Sequence, residues 1–103
     1  MFIAMNRFRV AKGRGPDFEE LWLKRDTYLA DVAGFVEFHL LRGPETDDYA
    51  LYASHTIWAS RDDFEAWTKS EAFRAAHSQA GRVEGLYLGP PDFEGFEVLQ
   101  TVT

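Results

Sequence analysis

Apolar and polar residues alternate from the second residue onward. Phe2, Ala4, Asn6, Phe8 and Val10 share one face, and Ile3, Met5, Arg7 and Arg9 share the other, so the pattern predicts a strand over 2–10. Lys12, Gly13, Arg14, Gly15 and Pro16 break it, and a proline there suits the first turn of a helix. The period then lengthens. Phe18, Leu21, Trp22, Arg25, Leu29 and Val32 fall on one helical stripe, which predicts a helix from 16 to about 32 that Gly34 ends. Strands are predicted over 35–42 and 49–58, joined as a hairpin by the turn-forming run from Gly43 to Asp48. Ser60 is placed to cap a short helix with Asp62 and Asp63 in its first turn and Phe64 and Trp67 on its inner side. A bend is expected at 68–70, where Ser70 caps a second helical piece. A glycine- and proline-rich loop over 81–91 and a last strand over 93–102 complete the chain.

The order β-α-β-β-α-β is the ferredoxin-like pattern, an α+β fold with an antiparallel sheet and helices on one face. A sheet covered on one side should carry a polar face on the other. Here Leu51, Ala53 and Ile57 alternate with Ala50, Tyr52 and Trp58, so both faces are substantially apolar. The uncovered face needs a second cover, and a homodimer packed sheet to sheet supplies it most simply. An aromatic content of 16% in 103 residues points the same way, or to a ligand pocket.

Charge and cysteine narrow the chemistry. A net charge of −6, with no basic cluster interleaved with aromatics, argues against nucleic acid. With no cysteine, disulfides, thiolate metal sites and cysteine nucleophiles are excluded. No apolar run approaches membrane-spanning length and the first residues do not read as a signal peptide, so a cytoplasmic location without membrane attachment is expected.

Three polar residues occupy apolar positions. Phe73, Ala76, His77 and Ala80 repeat at helical spacing, which sets an imidazole in an inward stripe. It either satisfies itself by a hydrogen bond or binds something, and a neutral imidazole is the commonest metal ligand. Asn6, between Ala4 and Phe8, is either bonded to nearby backbone or a donor aimed into a cavity. Arg25 either snorkels to a surface ion pair or holds a carboxylate at a pocket rim. Trp67 has ordinary core spacing from Phe64, yet its indole N–H wants a partner or a wet edge. His39 and His55 lie in strands and read as structural or interfacial. If the exceptions meet, they make an aromatic-walled pocket with one imidazole, one amide, one indole and a cation, which suits a flat, apolar, metal-containing ligand with carboxylate tails, such as haem.

Several of these residues belong to longer motifs: Met5-Asn6-Arg7-Phe8, Ala33-Gly34-Phe35, the run from Phe38 to Pro44, the run from Tyr52 to Trp58, Phe64 to Trp67, and Ser70 to His77. On them the chain resembles the IsdG-type haem-degrading monooxygenases, within the antibiotic biosynthesis monooxygenase superfamily of dimeric α+β barrels. The likeness covers nearly the whole chain as one such domain, residues 1–103. The combination of Asn6, Trp67 and His77 is its most specific part; Ala33 stands where relatives often have proline, in a turn. The resemblance implies that haem is both substrate and cofactor and that His77 is the axial iron ligand. It makes Asn6 a hydrogen-bond donor to bound oxygen and Trp67 the residue that presses the macrocycle out of plane. Arg25 falls near the haem edge, with Trp22 and Phe73 as further cofactor contacts. O2 and an external electron donor, a reductase or a small reductant, would be consumed, giving a linear tetrapyrrole and free iron. The loop over 81–91 would close as a lid. Two other activities fit the same fold: a cofactor-free monooxygenase of an aromatic or quinone, and a non-enzymatic haem carrier.

Overall fold

In the computed structural model the described residues are 1–25, 27–78 and 85–103, with His77 and Ser78 described by backbone alone. Four strands, β1 (Phe2–Ala11), β2 (Phe35–Glu45), β3 (Tyr49–Trp58) and β4 (Asp92–Glu97), form one sheet in the order β2-β3-β1-β4. Every neighbouring pair is antiparallel. Helices α1 (Gly15–Lys24), α2 (Arg61–Thr68) and α3 (Glu71–Ser78) complete the expected ferredoxin-like order, with the second helical segment in two pieces.

The alternation in β1 decides which face the helices cover. Phe2, Ala4, Phe8 and Val10 are buried, and the register sets them against Trp58, Thr56, Tyr52 and Ala50 of β3, which are buried too. Helix α1 lays Phe18, Leu21 and Trp22 on one end of this face, and α2 lays Phe64 and Trp67 on the other. Local chemistry agrees with the pattern. Pro16 lies in the first turn of α1, where no intrahelical N–H bond is lost. Ser60 accepts from the Asp63 amide at 3.1 Å to cap α2, and Ser70 accepts from the Phe73 amide at 3.2 Å to start α3.

Three boundaries differ from the predicted ones. Helix α1 ends at Lys24 rather than near 32, because Arg25 is extended and Tyr28 has a positive φ of 57°. Leu29 still reaches the core, carried by a turn in which the Val32 amide bonds the Leu29 carbonyl at 3.0 Å. The hairpin loop is shorter than expected. Gly43 and Pro44 remain in β2, an edge strand with a bulge between Arg42 and Glu45, where proline's missing N–H costs no ladder bond. Strand β4 stops at Glu97 because its partner there is Phe2, at the start of β1; the ladder has one more bond, from the Val98 amide to the Met1 carbonyl.

Two contacts tie helices to sheet. The Tyr52 hydroxyl donates to Glu19 of α1 at 2.5 Å, over Gly15, where a Cβ would sit 2.7 Å from that oxygen. Gly34, with φ +81°, passes its carbonyl to the Ala59 amide at 2.7 Å, and a Cβ there would collide with the Asp63 side chain in the α2 cap.

Two outcomes follow. Gly13 and Gly34 both have positive φ, but only Gly34 is crowded. Gly13→Ala should therefore cost about 1 kcal/mol of backbone strain. Gly34→Ala should cost at least about 2 kcal/mol in urea unfolding, strain and collision combined; equal losses would remove the packing role given to Gly34. Burial, then the hydrogen bond and charge of Glu19, push the Tyr52 hydroxyl up to about 12. The raised value means its stabilisation is complete below the unfolded tyrosine pKa of about 10 and is lost as pH rises through the folded value. Wild type should thus lose more stability than Tyr52→Phe between those two pH values in urea titrations. Parallel losses would refute the Tyr52–Glu19 bond.

Candidate functional site

The helix-facing core is not continuous. One cluster joins Phe8, Val10, Phe18, Ala50, Tyr52 and Leu86, with Leu21, Trp22, Leu40 and Tyr87 packed against it. A second joins Phe2, Ala4, Leu29 and Trp58, with Phe38, Phe64 and Trp67 among its neighbours. Between them the pairing register runs Leu40, Ser54, Asn6, Phe93 across the four strands. Ser54 is buried and Asn6 half-buried, so a polar strip of these two residues lies at the middle of the sheet where an apolar core would otherwise close. Among the described residues the Asn6 carboxamide has no hydrogen bond, which favours a donor facing open space over a structural amide.

One side of the strip is built by α1 and its C-terminal end. Trp22 packs on Phe8, ring centres 4.9 Å apart, and donates its indole N–H to the Tyr87 hydroxyl at 2.8 Å. The Arg25 guanidinium stacks on the Trp22 ring, 4.0 Å from its centre. Arg25 was expected on the inner stripe of a longer helix; it is instead the residue that ends α1. It is half-buried, its Nε has no hydrogen-bond partner, and among the described residues it makes no ion pair. Burial lowers its pKa, and the nearby Tyr87 opposes the shift. A shielded cation with no anion among the described residues is suited to receive one.

The other side is aromatic. Trp67 packs on Trp58 at 5.4 Å and stands edge-on to Phe73 of α3 at 4.8 Å between ring centres. Phe64 stacks on Phe93, rings 5.6 Å apart and tilted by only 8°. Trp58 is fully buried with its own indole N–H unpaired among the described residues. The backbone carries His77 in α3, directly after the fully buried Ala76. Its side chain lies outside the described residues.

The structure therefore brings Trp22 with Arg25, and Trp67 with Phe73, to the two clusters that flank Asn6. Sequence reasoning missed Ser54 and Tyr87. Ser54 was visible as a polar residue between Tyr52 and Thr56 on the inward face of β3, whereas Tyr87 lay in a loop without periodicity. In the expected lid over 81–91, residues 81–84 lie outside the described residues. The described remainder is anchored rather than free. Leu86 is fully buried, its carbonyl accepts from the Ala11 amide at 2.8 Å, and Tyr87 bridges to Val10.

Comparison with known proteins identifies the family. The family model described as antibiotic biosynthesis monooxygenase matches residues 1–79. The chain belongs to this family. Among relatives, a heme-degrading monooxygenase of Bacillus thuringiensis is 33% identical over 93 residues, 90% of this chain and 79% of the relative. Among solved structures, the heme-degrader MhuD of Mycobacterium tuberculosis, with two hemes bound in its active site, superposes with a TM-score of 0.78 at 27% identity over the whole of both chains (100% of each). SnoaB, a cofactor-independent oxygenase from Streptomyces nogalater, shares the fold with a TM-score of 0.68 at 24% identity, over 98% of this chain and 95% of its own.

The Arg25 environment gives a direct test. Shielding a cation without a partner costs on the order of 1–3 kcal/mol, more than the 0.5–1 kcal/mol or so of an accessible cation–π contact. Methionine would keep the packing on Trp22 without the charge. Arg25→Met apoprotein should melt no lower than wild type by differential scanning calorimetry. A drop of several degrees would mean that the guanidinium already has its partner.

Proposed function

We propose that this chain is a haem-degrading monooxygenase, a single domain spanning residues 1–103, with haem held over the polar strip between the two aromatic clusters. The observation that carries the reading is Arg25, a half-buried guanidinium without an anion among the described residues, stacked on Trp22 of one of the two clusters that flank Asn6. A flat apolar macrocycle with carboxylate tails matches that environment. The heme-degrading relatives support the same ligand.

In this reading haem is both substrate and cofactor, and when bound it supplies the iron at which O2 is reduced by electrons from an external donor. The chain's residues bind and orient. His77, on α3, would hold the haem iron through its imidazole. Arg25 holds a propionate with its fork of donors, and Trp22 fixes the guanidinium plane from below. Asn6 directs its amide N–H toward the oxygen side, a preorganised dipole in a site from which water is displaced. Trp67, braced by Trp58 and Phe73, would pack against the macrocycle and orient it. A homodimer through the uncovered sheet face completes the proposal. Leu41 and Phe96 stand on that face with 39% and 47% of their surfaces exposed, and a second copy would cover them.

Haemin added to apoprotein should raise a Soret band that decays, with release of iron, once a reductant is supplied in air. A stable band under those conditions would leave a haem carrier, and no band would remove haem altogether, leaving the cofactor-free oxygenase. His77→Ala should abolish turnover and weaken haemin binding. Asn6→Ala should bind haemin as wild type does and turn over at least about tenfold more slowly; normal turnover would remove its assigned role.

A further inference from the structure

The sheet face that no helix covers carries a pair of imidazoles with no role in the proposed haem site. His39 of β2 and His55 of β3 are directly opposite each other in the register. Ser54 faces the helices, so the next residue, His55, faces away from them. The two Nδ1 atoms are 3.5 Å apart and the ring centres 5.6 Å apart.

Those separations have a chemical meaning. Two imidazoles on one Zn2+ ion at about 2.0–2.1 Å, near the tetrahedral angle, hold their nitrogens about 3.3–3.4 Å apart and their ring centres roughly 5.3 Å apart. The pair is within a few tenths of an ångström of both values. The far side of His39 is also arranged. Glu37, two residues earlier on the same face, brings Oε2 to 3.5 Å from His39 Nε2. A carboxylate on that side favours the tautomer protonated at Nε2, in which the Nδ1 lone pair faces His55, as outer carboxylates orient metal-binding histidines.

We propose that His39 and His55 form a binding site for a borderline divalent transition ion such as Zn2+, each ligating through Nδ1, with Glu37 as the positioning residue for His39. Among the described residues no set of three or more His, Cys, Asp or Glu side chains is grouped to hold a metal ion. The chain thus supplies two ligands, and the remaining positions fall to water or to groups of the second copy across this face. Paired imidazoles select Zn2+ and its neighbours over Mg2+ and Ca2+, which require oxygen ligands. The ion would also join edge strand β2 to the sheet interior, stiffening the face proposed to meet a second copy.

The test is isothermal titration of chelator-treated, haem-free protein with zinc chloride. Wild type should take up one zinc equivalent per chain that His39→Gln and His55→Gln each lose. Glu37→Gln should retain that equivalent with about tenfold weaker affinity, and magnesium chloride should not compete. Equal zinc uptake by wild type and either histidine variant overturns the site, as does no uptake by wild type. Unchanged zinc affinity in Glu37→Gln removes the positioning role. Haemin titration of the same variants should match wild type, so failure here is separable from failure of the haem reading.

Discussion

The antiparallel register of β1 against β3 is the constraint on which the candidate site depends. It sets Asn6 opposite Ser54 on the inward face, with buried apolar pairs on either side along the strands: Phe8 with Tyr52, and Ala4 with Thr56. A slip of one residue would turn Arg7 and Arg9 inward and send Phe2 and Phe8 to the other face, so hydrophobic burial holds the register firmly. The carboxamide is thereby locked into the middle of a face that would be more stable without it. It also follows from this register that Ser54 and His55 look in opposite directions, so one strand carries polar side chains to both faces of the sheet.

Dividing the core has an energetic consequence. Each cluster is rich in aromatic rings, which supply large buried area from few residues. Phe18 stacks on Trp22 and packs tilted against Tyr52, while Trp58 stands edge-on to Phe35 and Phe64 and tilted against Trp67. These contacts let both halves of a 103-residue chain hold together without a continuous apolar seam. Among the described residues two unmade interactions border the division: the carboxamide of Asn6 and the shielded guanidinium of Arg25. A ligand that satisfies them gains what the apoprotein forgoes, and stability is exchanged for binding at one place.

Much of this was legible in the chain. Alternation in β1 and β3 identified both faces, and Ser60, Ser70 and Pro16 marked helix starts because capping and proline chemistry are local. Helix α1 was read too long for a physical reason. Leu29 and Val32 continue the helical period and do reach the core, but by a turn through Tyr28 at positive φ, which periodicity cannot distinguish from a helix. The end of β4 was equally hidden, since it is set by where β1 begins. Asn6 and Arg25 stood out as polar residues in apolar patterns. Tyr87 did not, because its role comes from a bridge to Val10 and a bond from Trp22, both remote in sequence. The geometric match of His39 to His55 was likewise invisible until the strands were paired.

The central claim is that α3 presents His77 to haem iron across the divided core. Resonance Raman spectroscopy of the reduced haem complex tests it most directly, because the iron–imidazole stretch reports the axial bond itself. The expected result is a band in wild type that is absent from His77→Ala and returns when free imidazole is added. The same band in His77→Ala without added imidazole would contradict the account.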